Sequence, residues 1–262
     1  MKKMKEIVVI KLGGSTLSEM DSNLNEIADL HLSGVPVVLV HGGGALISEW
    51  MEKLEIKTDF IDGLRVTDEN SIQIVTSILG GLVNKTLVAS IINKNCKAIG
   101  LSGIDDNIFK AEFLDQTHGY VGNIINTNSK FIQLLVNNKY LPIIAPIAIN
   151  NALVSPPLLN INGDTAASAL AVSLNANKLI FLTDVDGVLD EKSNLISTLT
   201  TVQSKTLISN GTAKSGMIPK INSCIDAVES NVESFIINGT KYGNLTSIIE
   251  NSKSVGTKFL VS

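Results

Sequence analysis

Short runs rich in Val and Ile alternate along the chain with longer stretches of helical apolar spacing: EIVVIKL, then SNLNEIADLHLSG, then VPVVLVH, then ALISEWMEKLE. This alternation leaves few folds open, because a strand buried on both faces reaches its parallel neighbour only through a crossover, usually a helix. Near-continuous apolar runs recur at residues 96–103 (CKAIGLSG), 141–149 (LPIIAPIAI), 178–185 (KLIFLTDV) and 233–240 (ESFIINGT). The expected fold class is α/β, with a large, mostly parallel central sheet. Residues 110–130, with Gly119, Tyr120, Val121 and Gly122, break the alternation and predict a β-hairpin or loop. Thr67, Asp68 and Glu69 read as a helix start. The stripe Ile72, Val75, Ile78, Leu79, Leu82 and Val83 then predicts a helix to about Asn93, as core or in part as a subunit interface.

At 262 residues the chain has room for one large domain or two lobes. Apolar residues at 44% and charged residues at 18% supply a core and argue against disorder. A net charge of −4, with no Lys/Arg run longer than two residues, gives no footprint for nucleic acid or an anionic membrane. A bound anion must then be held by a few local cations and backbone N–H groups. Cys96 and Cys224 lie outside any CxxC, and His31, His41 and His118 lack zinc-ligand spacing, so no metal site is expected from protein ligands. Reduced thiols suit the cytoplasm. MKKMKEIVVIKLGG opens like a signal peptide, but its apolar run ends at Ile10 ahead of Lys11. The stretch LPIIAPIAI is far below a membrane span. The expectation is a soluble, cytoplasmic chain without a targeting segment.

Two strand ends run into bare backbone, Gly13–Gly14 and Gly42–Gly43–Gly44. In an open α/β sheet ligands sit beyond the carboxyl ends of the strands, where the next helix presents free N–H groups. A glycine there removes the Cβ that would hold a phosphate oxygen away. A tight strand-to-helix connection explains either turn alone; two such turns, one with Lys11 just before it, point to phosphate chemistry. GxxxxGK[ST], GxGxxG and the protein-kinase motifs are all absent.

The ordered motifs KLGGS, VHGGG, DGLRVTD, GLSGID, GYVG, PIIAPIA, NINGDTAA, LTDVDGVL and GMIPK resemble the amino acid kinase family, from about residue 6 to the C-terminus. Within it they are similar to the branch that phosphorylates N-acetyl-L-glutamate. The resemblance implies an αβα sandwich of two lobes. The N-terminal lobe (1–173) would bind the amino acid and mediate dimerisation, and the C-terminal lobe (174–262) would bind nucleotide. It further implies phosphoryl transfer from ATP, accompanied by Mg²⁺ held mainly through ATP phosphates, to the side-chain carboxylate in arginine biosynthesis. Such an acceptor is ionised near neutral pH and needs no general base. Lys11 and Lys220 match the family's lysines on the transferring phosphoryl group, and Asp164 the aspartate that orients them. An N-cap role for Asp164 is the competing reading. Gly14, Gly43 and Gly44 match backbone donors around the nucleotide, phosphoryl and acceptor groups. Arg65 matches the arginine on the α-carboxylate, a task suited to its planar fork; it is also the sole arginine. Asn160 matches its partner at that end of the substrate. Asp184, Val185, Asp186, Gly187, Val188 and Leu189 match the nucleotide turn, with Thr212, Ala213 and Lys214 flanking ATP. His41 reads as structural. The carboxylates Asp184, Asp186 and Asp190 lack the EF-hand order.

The chain departs from the family pattern at Ala45 (HGGGA), Gly163 (NINGD) and Ser215 (SGM), none of which removes a charge. The short segment before the first strand leads to the expectation of an arginine-insensitive homodimer. A kinase for a related carboxylate, such as carrier-bound aminoadipate, and a non-catalytic metabolite or nucleotide sensor are the alternative functions.

Overall fold

The computed structural model describes residues 6–13, 20–61, 63–152, 157–214 and 216–262; Gly14 and Ser215, singled out above, lie outside them. Strand β1 (Val8–Leu12) is followed by helix α1 (Met20–Leu32), and β2 (Val37–His41) by α2 (Gly44–Lys53). A hairpin, β3 (Phe60–Ile61) and β4 (Leu64–Arg65), precedes α3 (Glu69–Thr76), which runs through a π-helical segment, Ser77–Val83, into α4 (Asn84–Ile92). Next come β5 (Ala98–Ser102), β6 (Phe109–Phe113), β7 (Gly122–Thr127), α5 (Lys130–Asn137), β8 (Leu141–Ala145), β9 (Ile147–Asn150) and β10 (Leu158–Asn160). The chain continues with α6 (Gly163–Ser173), β11 (Lys178–Thr183), β12 (Thr198–Thr200), α7 (Thr201–Ser209), α8 (Ile218–Glu229), β13 (Glu233–Asn238), α9 (Asn244–Ile249) and β14 (Thr257–Leu260).

The described residues build an eight-stranded sheet in the order β12-β14-β13-β11-β1-β2-β8-β5. It is parallel from β13 to β5; toward the other edge β14 is antiparallel to β13, and the edge strand β12 pairs parallel with β14. Strands β1, β2, β8 and β11 are buried along their whole length, which is why their sequences are continuous apolar runs. Period-two alternation divides β1 between two hydrophobic clusters. Val8, Ile10 and Leu12 join α1, α2 and the α3–α4 helix on one face; Ile7 and Val9 join α6 and α8 on the other. Lys11 has the parity of Val9, so it emerges on the α6–α8 side.

The stretch LPIIAPIAI is two strands of different sheets rather than one. Pro146 has no N–H to extend a ladder, and the chain turns there from β8 in the large sheet to β9 in a four-stranded sheet ordered β10-β9-β6-β7. The excursion expected at 110–130 is the β6–β7 hairpin of that sheet. Asp68, not Thr67, caps α3, its Oδ1 accepting from the Ser71 N–H at 2.7 Å. The continuous helix Glu69–Ile92 is 24 residues long and contains an 18-residue window with a mean hydropathy of 1.6, long and apolar enough to match a membrane span by length and composition. Here it lays Ile72, Val75, Ile78, Leu79, Val83, Leu87 and Ile91 against the core. Ser173, the expected lobe boundary, ends α6, and the large sheet crosses that point through the β1–β11 pairing.

Where the two sheets meet, an ideal Cβ on Gly103 would lie 2.3 Å from the Ile147 carbonyl oxygen and 2.1 Å from Phe109 Cδ2. Gly103→Ala is expected to cost about 1–3 kcal/mol through overpacking, read as a lower urea midpoint with an unchanged m-value.

Candidate active site

The carboxyl ends of β1, β2 and β10 open onto a cavity of about 300 Å³. Three helices begin at its wall: α2 at Gly44, α6 at Gly163 and α8 at Ile218, with Gly216 and Pro219 also in the lining. Each places the positive end of its dipole at that wall. The charged lining residues are Lys11, Arg65, Asp164 and Lys220. Three cations against one carboxylate leave the cavity two positive charges in excess among the described residues.

Asp164 lies in the first turn of α6 and is buried, and its two oxygens are divided between the lysines. Lys11 Nζ is 2.6 Å from Oδ1, and Lys220 Nζ is 3.1 Å from Oδ2. Lys220 Nζ also donates to the Gly216 carbonyl at 3.2 Å. Burial acts to raise the Asp164 pKa, but the charges of Lys11 and Lys220 and their hydrogen bonds outweigh it and hold the carboxyl below its ordinary value. For Lys11 burial dominates and lowers the pKa, Asp164 opposes it, and Lys220 adds repulsion. The N-cap reading of Asp164 is corrected: Asn162 caps α6, its Oδ1 accepting from the N–H groups of Asp164 at 2.8 Å and Thr165 at 3.2 Å. Asp164 is thereby left to bind the lysines. A Cβ at Gly163 would lie 3.4 Å from Lys11 Cε, an ordinary contact, so the departure from alanine there is sterically neutral.

Arg65 closes the far wall. It is 6% exposed, yet no carboxylate among the described residues pairs with it. Its Nη2 donates to the Gly44 carbonyl at 2.9 Å and the Ser48 hydroxyl at 2.7 Å. Its Nη1 donates to Met51 Sδ at 3.5 Å, and Cζ sits 4.7 Å from the centroid of Phe60. Burial alone lowers its pKa. An anion entering the cavity would supply the missing countercharge. Asn160 lines the same wall, its Nδ2 donating to Thr67 Oγ1 at 3.3 Å. Gly43 and Gly44 lie between the lysine and arginine ends; a Cβ on Gly44 would meet nothing within 4 Å, so the backbone there is open.

The residues expected on the nucleotide side follow β11, beside β1 on the same sheet edge, and are not part of the cavity lining. Asp184, Val185 and Asp186 are exposed; Asp186 pairs with Lys241 at 2.5 Å and accepts from Asn238 Nδ2 at 2.9 Å. Gly187 has φ 151°, and a Cβ would lie 2.7 Å from Thr257 Oγ1, which in turn accepts from the Val188 N–H at 2.9 Å. Leu189 bridges to Leu195. Thr212 Oγ1 donates to Glu191 at 3.3 Å, Ala213 is buried, and Lys214 is exposed.

The sequence pattern that defines the Amino acid kinase family matches residues 6–238. The chain belongs to the amino acid kinase family. It is 42% identical over 239 residues to a protein of Campylobacter hominis named acetylglutamate kinase, covering 89% of this chain and 83% of that one. A Nitratiruptor sp. protein of the same name is 42% identical over 262 residues, covering 97% and 91%. The crystal structure of smu.665 from Streptococcus mutans UA159 superposes with a TM-score of 0.85 at 32% identity, covering 98% of this chain and 99% of that chain.

Reasoning from sequence missed the groups that hold the site in place. Asn162 was visible as an Asx residue just before a helix. Ser48, Met51 and Phe60, around Arg65, carry no motif. His41, expected to be structural, is fully buried at the end of β2; its Nδ1 bonds the Gly42 carbonyl at 2.8 Å and its Nε2 lies 3.2 Å from Asn84 Nδ2. Asn84 also donates to the Ile143 carbonyl at 2.9 Å, which ties α4 to the sheet.

Burial, only partly opposed by the Gly42 bond, lowers the His41 pKa to about 4. Below its ordinary value of about 6.5 the unfolded chain binds a proton that the folded one refuses. The neutral imidazole therefore contributes stability that is full above pH 6.5 and falls away as pH drops through 4. The loss should reach about 3 kcal/mol. It should appear as a falling urea midpoint across that window, with the slope reduced in His41→Gln.

Proposed function

We propose that the chain transfers the γ-phosphoryl group of ATP to the side-chain carboxylate of N-acetyl-L-glutamate, forming N-acetyl-L-glutamyl 5-phosphate in the cytoplasmic synthesis of arginine. One observation carries this reading. The cavity joins two lysines sharing one aspartate to an arginine that has no countercharge among the described residues, as a dianionic acceptor requires. The names of the relatives support the choice of acceptor.

The acceptor carboxylate is ionised at neutral pH, so no proton need be removed. One of its oxygens bonds to the γ-phosphorus as the bond from that phosphorus to the β–γ bridging oxygen breaks, releasing ADP. The obstacle is repulsion between anions, and the protein acts by position and charge. Lys11 and Lys220 bring ammonium groups to the equatorial oxygens from two elements. Asp164 fixes both without neutralising both. Gly43 and Gly44, in the cavity lining, offer peptide N–H groups nearby, and the family pattern gives Gly14 the same task. Arg65 grips the α-carboxylate, and Asn160 binds the same end of the substrate. Asp184 to Leu189 and Thr212 to Lys214 carry the nucleotide.

Among the described residues no three Asp, Glu, His or Cys side chains cluster as a metal cage. Mg²⁺ is assigned to the ATP phosphates, where it supplies further positive charge to the transferring group.

An ADP-release assay over N-acetyl-L-glutamate, glutamate, aspartate and aminoadipate, with hydroxylamine trapping the acyl phosphate, tests this function. Turnover is expected with the acetylated acceptor, and no turnover on any acceptor would favour the sensor reading. Lys11→Ala and Lys220→Ala should each lower kcat by about 100-fold or more, whereas Arg65→Ala should chiefly raise the KM for the amino acid.

The chain is further proposed to form a homodimer through the helix Glu69–Ile92. Leu82 and Ile92 are exposed on that helix, beside the half-buried edge strand β5. Light scattering should give twice the 27.9 kDa of one chain. A monomeric mass, or a hexamer, would overturn the assignment.

A further inference from the structure

Arg65 is held by a single face of α2. Gly44, Ser48 and Met51 are spaced four and three residues apart, which places them on one side of the helix. All three accept from the guanidinium: the Gly44 carbonyl at 2.9 Å, the Ser48 hydroxyl at 2.7 Å and Met51 Sδ at 3.5 Å. The Ser48 hydroxyl donates its own proton to the Gly44 carbonyl at 3.1 Å, which turns a lone pair toward Arg65. Thr58 Oγ1 donates to Met51 Sδ at 3.5 Å, so the sulfur is held as well. The first turn of this helix is the Gly43–Gly44 backbone between the arginine and the lysines. One rigid element thus carries both the open peptide groups and the bracket of the anion anchor.

We infer that Ser48 is a positioning residue that sets the distance from Arg65 to the point of phosphoryl transfer, and so selects the acceptor by chain length. The inference rests on the carboxylate-kinase reading and deepens it. With the hydroxyl present, Nη2 is fixed by two acceptors one helical turn apart, and the guanidinium plane has one setting. Without it Nη2 keeps only the Gly44 carbonyl. The anchor then meets a carboxylate at several depths, the matched acceptor loses affinity, and shorter or longer acceptors gain relative to it. Nothing in this role touches the nucleotide.

The test compares wild type, Ser48→Ala and Ser48→Thr with N-acetyl-L-glutamate, N-acetyl-L-aspartate and N-acetyl-L-2-aminoadipate. In Ser48→Ala the KM for N-acetyl-L-glutamate should rise about tenfold, as for loss of one charge-assisted hydrogen bond. Its kcat and its KM for ATP should stay within about twofold. The kcat/KM ratio between the five-carbon acceptor and the other two should narrow several-fold, and Ser48→Thr, which keeps the hydroxyl, should restore both KM and ratio. Alanine is the strongest helix former, so the helix survives the change, and equal melting temperatures verify this. Unchanged KM and selectivity would overturn the inference, as would equal losses in kcat and in ATP affinity. Calorimetric titration with N-acetyl-L-glutamate separates the two levels. If wild type binds but does not turn over, the kinase reading fails; weaker binding by Ser48→Ala then still supports the positioning role, and equal binding overturns it. No binding by wild type overturns both.

Discussion

A carboxylate shared between two ammonium groups in a buried site is the interaction on which the functional end of this molecule depends. Either lysine alone at the floor of the cavity would be an uncompensated charge, at a cost of several kcal/mol. Asp164 offsets that cost for both, with one oxygen for each. It is also a mechanical tie, because Lys11 belongs to the sheet, Asp164 to α6 and Lys220 to α8. The same three side chains that set the charge of the cavity pin two helices to the sheet.

The arithmetic of charge matters more than any single contact. Had a second carboxylate faced Arg65, the excess would fall from two positive charges to one and the cavity would attract dianions less strongly. Instead the polar partners of Arg65 are uncharged: a carbonyl, a hydroxyl and a thioether. They orient the guanidinium and leave its charge available. His41 shows the same economy from the other side. Kept neutral by burial, it braces the glycine turn without adding a fourth cation near the cavity.

The parts legible in the sequence are those whose cause is local. A strand buried on both faces must be apolar throughout, so the central strands could be read directly; a lysine ending such a strand before two glycines has few explanations other than a ligand. The hairpin excursion was visible because Gly119 and Gly122 interrupt the alternation. What stayed hidden depends on tertiary partners. His41 meets Asn84 across 43 residues and Arg65 meets Ser48 across 17, and neither spacing is a period of any regular element. The strand pair hidden in LPIIAPIAI was misread because hydrophobicity is continuous across Pro146, while the missing N–H is the only local sign of the corner. The role of Asp164 was separable from capping only once Asn162 had taken the cap.

The five-residue ladder that joins β1 to β11 has a further consequence for mechanical load. It stitches the strand that bears Lys11 directly to the strand that leads into residues 184–189. The β3–β4 hairpin carrying Phe60 and the start of α8 line the cavity but lie outside that ladder. A load on either strand end is therefore shared with the other through the backbone ladder.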